Sequence, residues 1–277
     1  MIINGDCAEE LKKLPDKSVD VCITSPPYNI GIQYNTYADK RKDYQQFLTG
    51  IFAEITRVLK DDGHFFLNIS PTREDPFFAY NIAKLVPMVV QNPIVWAKSI
   101  EIDEAVRGHG QVGWSDYYLC RGYEMVWHFT KTGLVPIDRE YSAVSYQPEY
   151  LEDNKERTGR TTRPTTDCWF IGYETVGFCG VDAETLKGEK HHPAIFPREL
   201  VRHCIKVAGL RKGVVLDPFA GTGTVAVVCK EMGLDTIAIE IDKDYYDFIL
   251  QKVEETVYID PKKQGIQAKL ETYEVKE

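Results

Sequence analysis

The chain has 277 residues, with 33 lysines and arginines against 42 aspartates and glutamates and a formal net charge of −9 at pH 7. That length can bury one large core, or one core with a smaller inserted unit. No window approaches the length of a membrane span, and the start Met1-Ile2-Ile3-Asn4 is followed by acids rather than a basic, apolar signal sequence, so a soluble cytoplasmic protein is expected. The seven cysteines include no C-x-x-C pair. They read as free thiols without zinc, and Cys22, Cys204 and Cys229 fall in apolar elements where burial is expected.

In chain order, Ala8 to Leu14 reads as a short helix, Val19 to Ile23 as a strand, and Asp43 to Leu59 as a helix with Phe47, Ile51, Ile55 and Val58 on one stripe. Gly63 precedes a strand from His64 to Ile69, and Pro76 to Val90 carries a helical pattern. Ile94 to Ala97 and Glu124 to Phe129 are further strands. Lys131 to Lys190 loses periodicity and fills with Thr, Gly, Tyr and charge, which reads as an inserted substrate-reading segment. Pro197 to Ala208 is a helix, Gly213 to Asp217 a strand, Val225 to Met232 a helix, Thr236 to Ile239 a strand, and Asp242 to Thr256 a last helix before a polar tail. This alternation predicts an α/β fold, a mostly parallel sheet with helices on both faces.

Two junctions carry chemistry. Ser25-Pro26-Pro27-Tyr28 ends the run Val19-Asp20-Val21-Cys22-Ile23 and continues into Asn29 as TSPPYN. The prolines fix φ and remove two backbone donors, leaving carbonyls there as acceptors with nothing local to bind. A hydroxyl, idle carbonyls and an exposed ring at a strand end suit a flat molecule carrying an NH2 group. A plain X-Pro-Pro turn is the simpler alternative.

At the second junction, Val214-Val215-Leu216-Asp217 runs into Pro218-Phe219-Ala220-Gly221-Thr222-Gly223-Thr224 and then a helix. A strand, a tight glycine turn and a helix N-terminus let a ligand approach bare backbone. The next strand ends in Glu240, placed to hold the two hydroxyls of a ribose. That arrangement serves NAD and S-adenosylmethionine equally, and Gly221-x-Gly223-x-x-Ala226 also fits the dinucleotide fingerprint. No Lys-Ser/Thr pair follows the glycines, so a phosphate-binding P-loop is not expected.

Together the two halves resemble the DNA amino-methyltransferases, which methylate exocyclic nitrogens of cytosine or adenine. Asp217 to Thr224 is similar to their cofactor motif, which implies Asp217, Phe219, Gly221, Gly223, Thr224 and Glu240 at the cofactor. Ser25, Pro26, Pro27 and Tyr28 resemble their catalytic motif. Asn4-Gly5-Asp6-Cys7 resembles the segment that receives the adenine ring, implying Asp6 and Cys7 there, although Asp6 after Asn4-Gly5 also fits a helix N-cap. His192-Pro193-Ala194-Ile195-Phe196-Pro197 resembles the segment over the methionine part, implying His192, Ala194 and Phe196. A catalytic motif first and a cofactor motif last is the order of the permuted beta group. Within the family, SPPY resembles the N4-cytosine form and DPPY or NPPY the N6-adenine form.

The resemblance implies a Rossmann-like, mostly parallel, doubly wound methyltransferase sheet. It divides the chain into a catalytic half at 1–130, a target-recognition insert at 131–190, a cofactor-binding half at 191–258 and a tail at 259–277. It implies S-adenosyl-L-methionine as cofactor and double-stranded DNA as partner, with no membrane, and allows a homodimer and a cognate restriction endonuclease. The lone pair of an aromatic amino group is delocalised, so two acceptors on its hydrogens would free it. Ser25 Oγ and the Pro26 carbonyl are assigned to that task, and the ring face of Tyr28 to stacking on the flipped base. No covalent intermediate is needed, in keeping with the absence of any Pro-Cys dipeptide.

The acidic total calls for local basic sites. Lys40, Arg41 and Lys42 follow the catalytic motif, and Asn154 to Pro164 brings Arg157, Arg160 and Arg163. Both stretches could neutralise phosphates, and either could be a solvated loop. Trp114, in a glycine-rich loop, is the DNA-facing tryptophan, whereas Trp96 and Trp127 read as core and Trp169 is open. His109 and His128 have no partner at metal-ligand spacing and read as structural or solvent-facing. Three other functions fit less well. A protein-amide methyltransferase would carry the cofactor motif first and Asn in place of Ser25. A non-catalytic DNA-binding module would not need both motifs intact, and a nicotinamide oxidoreductase leaves Ser25 to Tyr28 unexplained.

Overall fold

The computed structural model describes residues 1–29, 31, 40–102, 105–108, 116–172 and 197–259. Strand β1 (Ile2–Asn4) leads into α1 (Cys7–Glu10) and a 3-10 turn, then β2 (Val19–Thr24), α2 (Tyr44–Val58), β3 (Leu59–Ile69), α3 (Phe78–Ala83) and β4 (Val89–Ala97). A hairpin of β5 (Ser99–Ile102) and β6 (Ala105–Gly108) precedes β7 (Tyr123–Thr130). Next come β8 (Val144–Ser145), α4 (Pro148–Thr158), β9 (Thr162–Arg163) and β10 (Cys168–Phe170). The chain closes with α5 (Arg198–Val207), β11 (Val214–Asp217), α6 (Thr224–Met232), β12 (Asp235–Glu240) and α7 (Lys243–Glu255).

Eight strands form one sheet in the order β1-β12-β11-β2-β3-β7-β4-β10. All neighbours are parallel except β7, which runs antiparallel to both β3 and β4. The sheet is buried on both faces, and alternation along each strand sorts the core. Phe65, Leu67 and Ile69 join α1, α2 and α3 on one face. Phe66, Val21, Ile23 and Val215 join α5 and α6 on the other. Cys22, Cys204, Cys229, Trp96 and Trp127 are buried as expected, and Trp169, which the sequence left open, is buried too.

Local expectations fail where a signal was read with the wrong period. The helix expected from Pro76 to Val90 exists only as α3, because Pro87 cannot continue it and disfavours helical backbone at Val86. Val89 and Val90 instead open β4, paired with Thr130 and Phe129. On α2 the buried stripe is wider than expected, taking in Tyr44, Leu48 and Phe52, and Phe47 is only partly buried. Within 131–190, Cys168–Phe170 joins the main sheet as its edge beside β4, and Trp169 fills the core there. The β8–β9 pair stands apart from that sheet, and α4 lies between its two strands in the chain. Residues 173–190 and the polar tail from Asp260 lie outside the described residues.

His128 is buried, not solvent-facing. Its Nε2 lies 2.9 Å from His64 Nδ1, and its Nδ1 lies 2.9 Å from Asn92 Nδ2. The Asn92 amide donates to His128 Nδ1, so His128 Nε2–H donates to His64, and both rings are neutral. Burial favours that neutral state, pushing His64 down to about 4 and His128 down to about 3. Followed by NMR from pH 8 to pH 5, the ring signals of both histidines are expected to stay unchanged. An ordinary titration near 6.5 in either would mean that water reaches the pair.

Candidate active site

The winding of the sheet reverses between β2 and β11. From β2 the chain crosses through α2 to β3 on one side; from β11 it crosses through α6 to β12 on the other. Such a reversal opens a crevice outside the carboxyl ends of the two central strands. Here those strands are in register, Val21 opposite Val215 and Cys22 opposite Leu216. The two motifs, nearly 200 residues apart in sequence, therefore leave the sheet side by side. A buried hydrogen bond joins them at that edge, from Thr24 Oγ1 to Asp217 Oδ1 at 2.7 Å. The same carboxylate oxygen accepts the Phe219 N–H at 3.1 Å. Burial pushes Asp217 up to about 7, against the opposing pull of these two bonds.

The Ser25 to Tyr28 ledge is braced from several sides. The Tyr44 hydroxyl donates to the Pro27 carbonyl, so that acceptor is not idle as the sequence suggested. The Pro26 carbonyl accepts no bond among the described residues. The Tyr28 ring is half-buried rather than exposed, and lies tilted 6.4 Å from Phe78. Its hydroxyl accepts from Ser25 Oγ at 3.3 Å and donates to Glu124 Oε2 at 3.3 Å. Glu124 also pairs with Lys98. Burial raises the Tyr28 phenol well above its usual range, and the Glu124 charge adds to the rise.

Asn29 takes a left-handed backbone (φ 58°) and clasps Arg41, accepting its N–H at 2.6 Å and donating to its carbonyl at 3.2 Å. Arg41 then pairs with Asp43 at 3.1 Å and lies 4.2 Å over the Phe47 ring. Phe47 in turn meets Phe219 of the glycine turn edge-on at 6.2 Å. The Lys40, Arg41 and Lys42 cluster is thus tied to the ledge, with both lysines exposed.

Gly221 (φ 51°) and Gly223 (φ 79°) shape the other wall. A Cβ on Gly223 would lie 2.7 Å from Ile249 Cγ1, so only glycine allows α7 to close on the turn. Glu240 Oε2 accepts the Gly221 N–H at 2.7 Å, and Oε1 accepts the Asp242 N–H at 2.9 Å. The Ile241 N–H also faces this carboxylate. Burial raises Glu240, and the backbone N–H groups of Asp242, Gly221 and Ile241 oppose the rise. Asn4 and Gly5 both donate to the Glu240 carbonyl at 3.0 Å, which brings the Asp6–Cys7 segment to the same wall. Asp6 caps α1, accepting the Ala8 N–H at 2.9 Å, and burial raises the Cys7 thiol. Gly223 also gives α6 an N-terminus at Thr224 with no side-chain cap.

The structure therefore joins Ser25, Pro26, Pro27 and Tyr28 to Asp217, Phe219, Gly221, Gly223, Thr224 and Glu240 along one edge, with Asp6 and Cys7 beside them. His192, Ala194, Phe196 and Trp114 lie outside the described residues. Arg157 on α4, Arg160 between α4 and β9, and Arg163 on β9 are exposed, and none is bonded to the ledge or the turn; Arg157 donates to Asn154 at 2.9 Å. Sequence reasoning missed Thr24, Tyr44, Lys98 and Glu124. A lone acid opening the apolar strand Glu124 to Phe129 was the available signal.

A family model described as DNA methylase matches residues 19–252, from the first residue of β2 into α7. The chain belongs to the DNA methylase family. It is 27% identical to Type II methyltransferase M.ScaI of Streptomyces caespitosus over 263 residues, covering 92% of this chain and 81% of that one. It is 25% identical to the DNA adenine methyltransferase YhdJ of Escherichia coli (strain K12) over 256 residues, covering 91% and 82%. Among solved structures it is similar to PvuII DNA methyltransferase (cytosine-N4-specific), with a TM-score of 0.67 at 18% identity over 91% of this chain and 85% of that chain. It is also similar to the M1.HpyAVI–SAM complex, with a TM-score of 0.53 at 18% identity over 91% and 98%. These structures share the mixed, mostly parallel sheet of this methylase.

Asp217→Asn keeps Oδ1, which takes both the Thr24 and Phe219 bonds, and removes the charge. A carboxyl raised from 3.8 to about 7 in the fold contributes stability that is complete below 3.8 and is lost as pH rises through about 7. From pH 5 to pH 8 the wild-type protein is therefore expected to lose on the order of 2 kcal/mol relative to the Asn variant in urea unfolding. Parallel pH curves for the two would show that Asp217 is ionised throughout.

Proposed function

We propose that this DNA methylase transfers a methyl group from S-adenosyl-L-methionine to the N4 amino group of a flipped cytosine in double-stranded DNA. One observation carries the reading: a serine hydroxyl, Ser25, stands one strand away from the glycine turn, joined to it through Thr24 and Asp217. The residues present suit the cofactor. The Glu240 carboxylate faces the site for a ribose hydroxyl, Gly221 and Gly223 put no side chain over the turn, and Asp6 and Cys7 stand beside them for the adenine end. By resemblance, His192, Ala194 and Phe196 cover the methionine part. The cofactor supplies an electrophilic sulfonium methyl.

The protein's own work is positional. Ser25 Oγ and the Pro26 carbonyl accept the two amino hydrogens, which favours a tetrahedral nitrogen with a free lone pair. Tyr28 stacks on the base and offsets part of the few kcal/mol that flipping costs. Lys40 and Lys42 reach for phosphates beside the ledge, and Arg41 joins them by exchanging Asp43 for a phosphate. Trp114, Arg157, Arg160 and Arg163 contact DNA from the 131–190 side or its approach. The ledge-first order supports the permuted beta arrangement. The likeness to M.ScaI supports a restriction-modification setting with a partner endonuclease, and a homodimer rests on the family resemblance alone. The N6-adenine reading is second, favoured by the likeness to YhdJ.

Incubating mixed-sequence DNA with methyl-labelled cofactor, then digesting to nucleosides, is expected to place the label in N4-methylcytosine. Label in N6-methyladenine would establish the second reading, and unlabelled DNA would overturn both. On a single cytosine-containing duplex, Ser25→Ala is expected to lower the single-turnover rate about 100- to 1000-fold, with KM little changed. Full activity in that variant would remove Ser25 from the mechanism.

A further inference from the structure

Lys98 and Glu124 stand behind the ledge rather than on it. Lys98 follows the end of β4, and Glu124 is the second residue of β7, directly opposite Trp96 in the antiparallel register. Glu124 is 7% exposed, a carboxylate buried at the catalytic edge of the sheet. One of its oxygens pairs with Lys98, whose ammonium also lies 4.7 Å over the Trp96 ring. Trp96 is fixed in turn by an Nε1–H bond to the Ile171 carbonyl at 2.9 Å. The second Glu124 oxygen accepts from the Tyr28 hydroxyl at 3.3 Å, and that hydroxyl accepts from Ser25 Oγ at 3.3 Å.

The chemistry of the last group sets the direction of this chain. An ionised carboxylate only accepts, so Tyr28 must give its single proton to Glu124. With that proton committed, the Tyr28 oxygen can only accept, from the Ser70 N–H and from Ser25, so Ser25 joins the chain by giving its own proton to Tyr28. Both lone pairs of Ser25 then point away from the chain, free to accept from a substrate amino group. Reversing the direction would aim the Ser25 proton at the amino hydrogens, donor against donor. The two 3.3 Å steps are longer than the ~2.8 Å usual for O–H···O bonds, the common state of a catalytic bond before its substrate is seated. The high phenol pKa keeps the Tyr28 proton in place over the working pH range.

We infer that Lys98 and Glu124 are positioning residues that, through the Tyr28 hydroxyl, hold Ser25 as an acceptor for the amino group; this rests on the methyl-transfer reading above. It changes what the Tyr28 ring alone implied. The hydroxyl matters as well as the ring face, so Tyr28→Phe is not a mild change. Glu124→Gln is the informative variant, because an amide can offer N–H to Tyr28 and turn the chain around. Lys98 gives the carboxylate its ion-pair partner, and Lys98→Arg preserves that charge.

The test is a double-mutant cycle on single-turnover methylation of one duplex, with cofactor affinity by calorimetry as the check on folding. Glu124→Gln and Tyr28→Phe are each expected to slow methyl transfer roughly tenfold or more at unchanged cofactor affinity, and Lys98→Arg to stay close to wild type. In a Ser25→Ala background, where no hydroxyl remains to orient, adding Glu124→Gln is expected to cause no further loss. Should Glu124→Gln bind no cofactor, the Tyr28→Phe/Ser25→Ala cycle reads the same coupling. Additive losses in the cycle would overturn the positioning role while leaving the methyltransferase reading intact. A wild-type protein that transfers no methyl to DNA would instead defeat the reading beneath it.

Discussion

The pairing of β2 with β11 is the constraint on which the rest of the molecule depends. Two parallel strands in register must end at the same edge, so the segments that leave them are forced into contact. A proline-stiffened ledge leaves β2, and a glycine turn leaves β11. The Thr24–Asp217 bond locks the two exits to each other in a buried setting, where an unpaired carboxylate would be costly. Opposite winding on either side of the junction then leaves the space above it uncovered by either crossover.

Around that junction, the polar groups are held by partners from several elements. Glu240 accepts the backbone N–H groups of Gly221 and Asp242 and so shapes the glycine turn. Tyr44 occupies the Pro27 carbonyl, while the Pro26 carbonyl beside it has no partner among the described residues. Arg41, clasped by Asn29 and resting on Phe47, links the ledge, the basic cluster and Phe219 into one packed surface. Members of the site thus brace one another from different elements, the preorganisation a positional mechanism requires.

Much of this was legible in the sequence, for reasons of locality. Prolines after Val19–Ile23 and glycines after Val214–Asp217 announce their backbone geometry within a few residues, and β/α alternation implies the sheet. The α2 stripe and the buried Trp96 and Trp127 come from short-range pattern as well. Signals that depend on distant partners were not legible. Glu124 reads as an odd acid in an apolar strand until Tyr28, almost a hundred residues earlier, comes to lie beside it. Tyr44 looks like one more core residue of α2 until its hydroxyl meets Pro27. Asp6 fitted two roles in sequence, and the cap to Ala8 is a bond that only the folded backbone displays. The false helix through Val90 arose because an apolar run of that length satisfies either period, and Pro87 was the deciding residue.

The most direct measurement is a crystal structure of the protein with the demethylated cofactor and a short duplex containing its target. If the β2–β11 junction builds one site from both motifs, the cofactor sulfur will lie between the Gly221–Gly223 turn and Ser25. A base will be out of the helix on Tyr28, with its amino nitrogen facing that sulfur. A cofactor seated away from the glycine turn, or a bound duplex with every base still stacked, would contradict it.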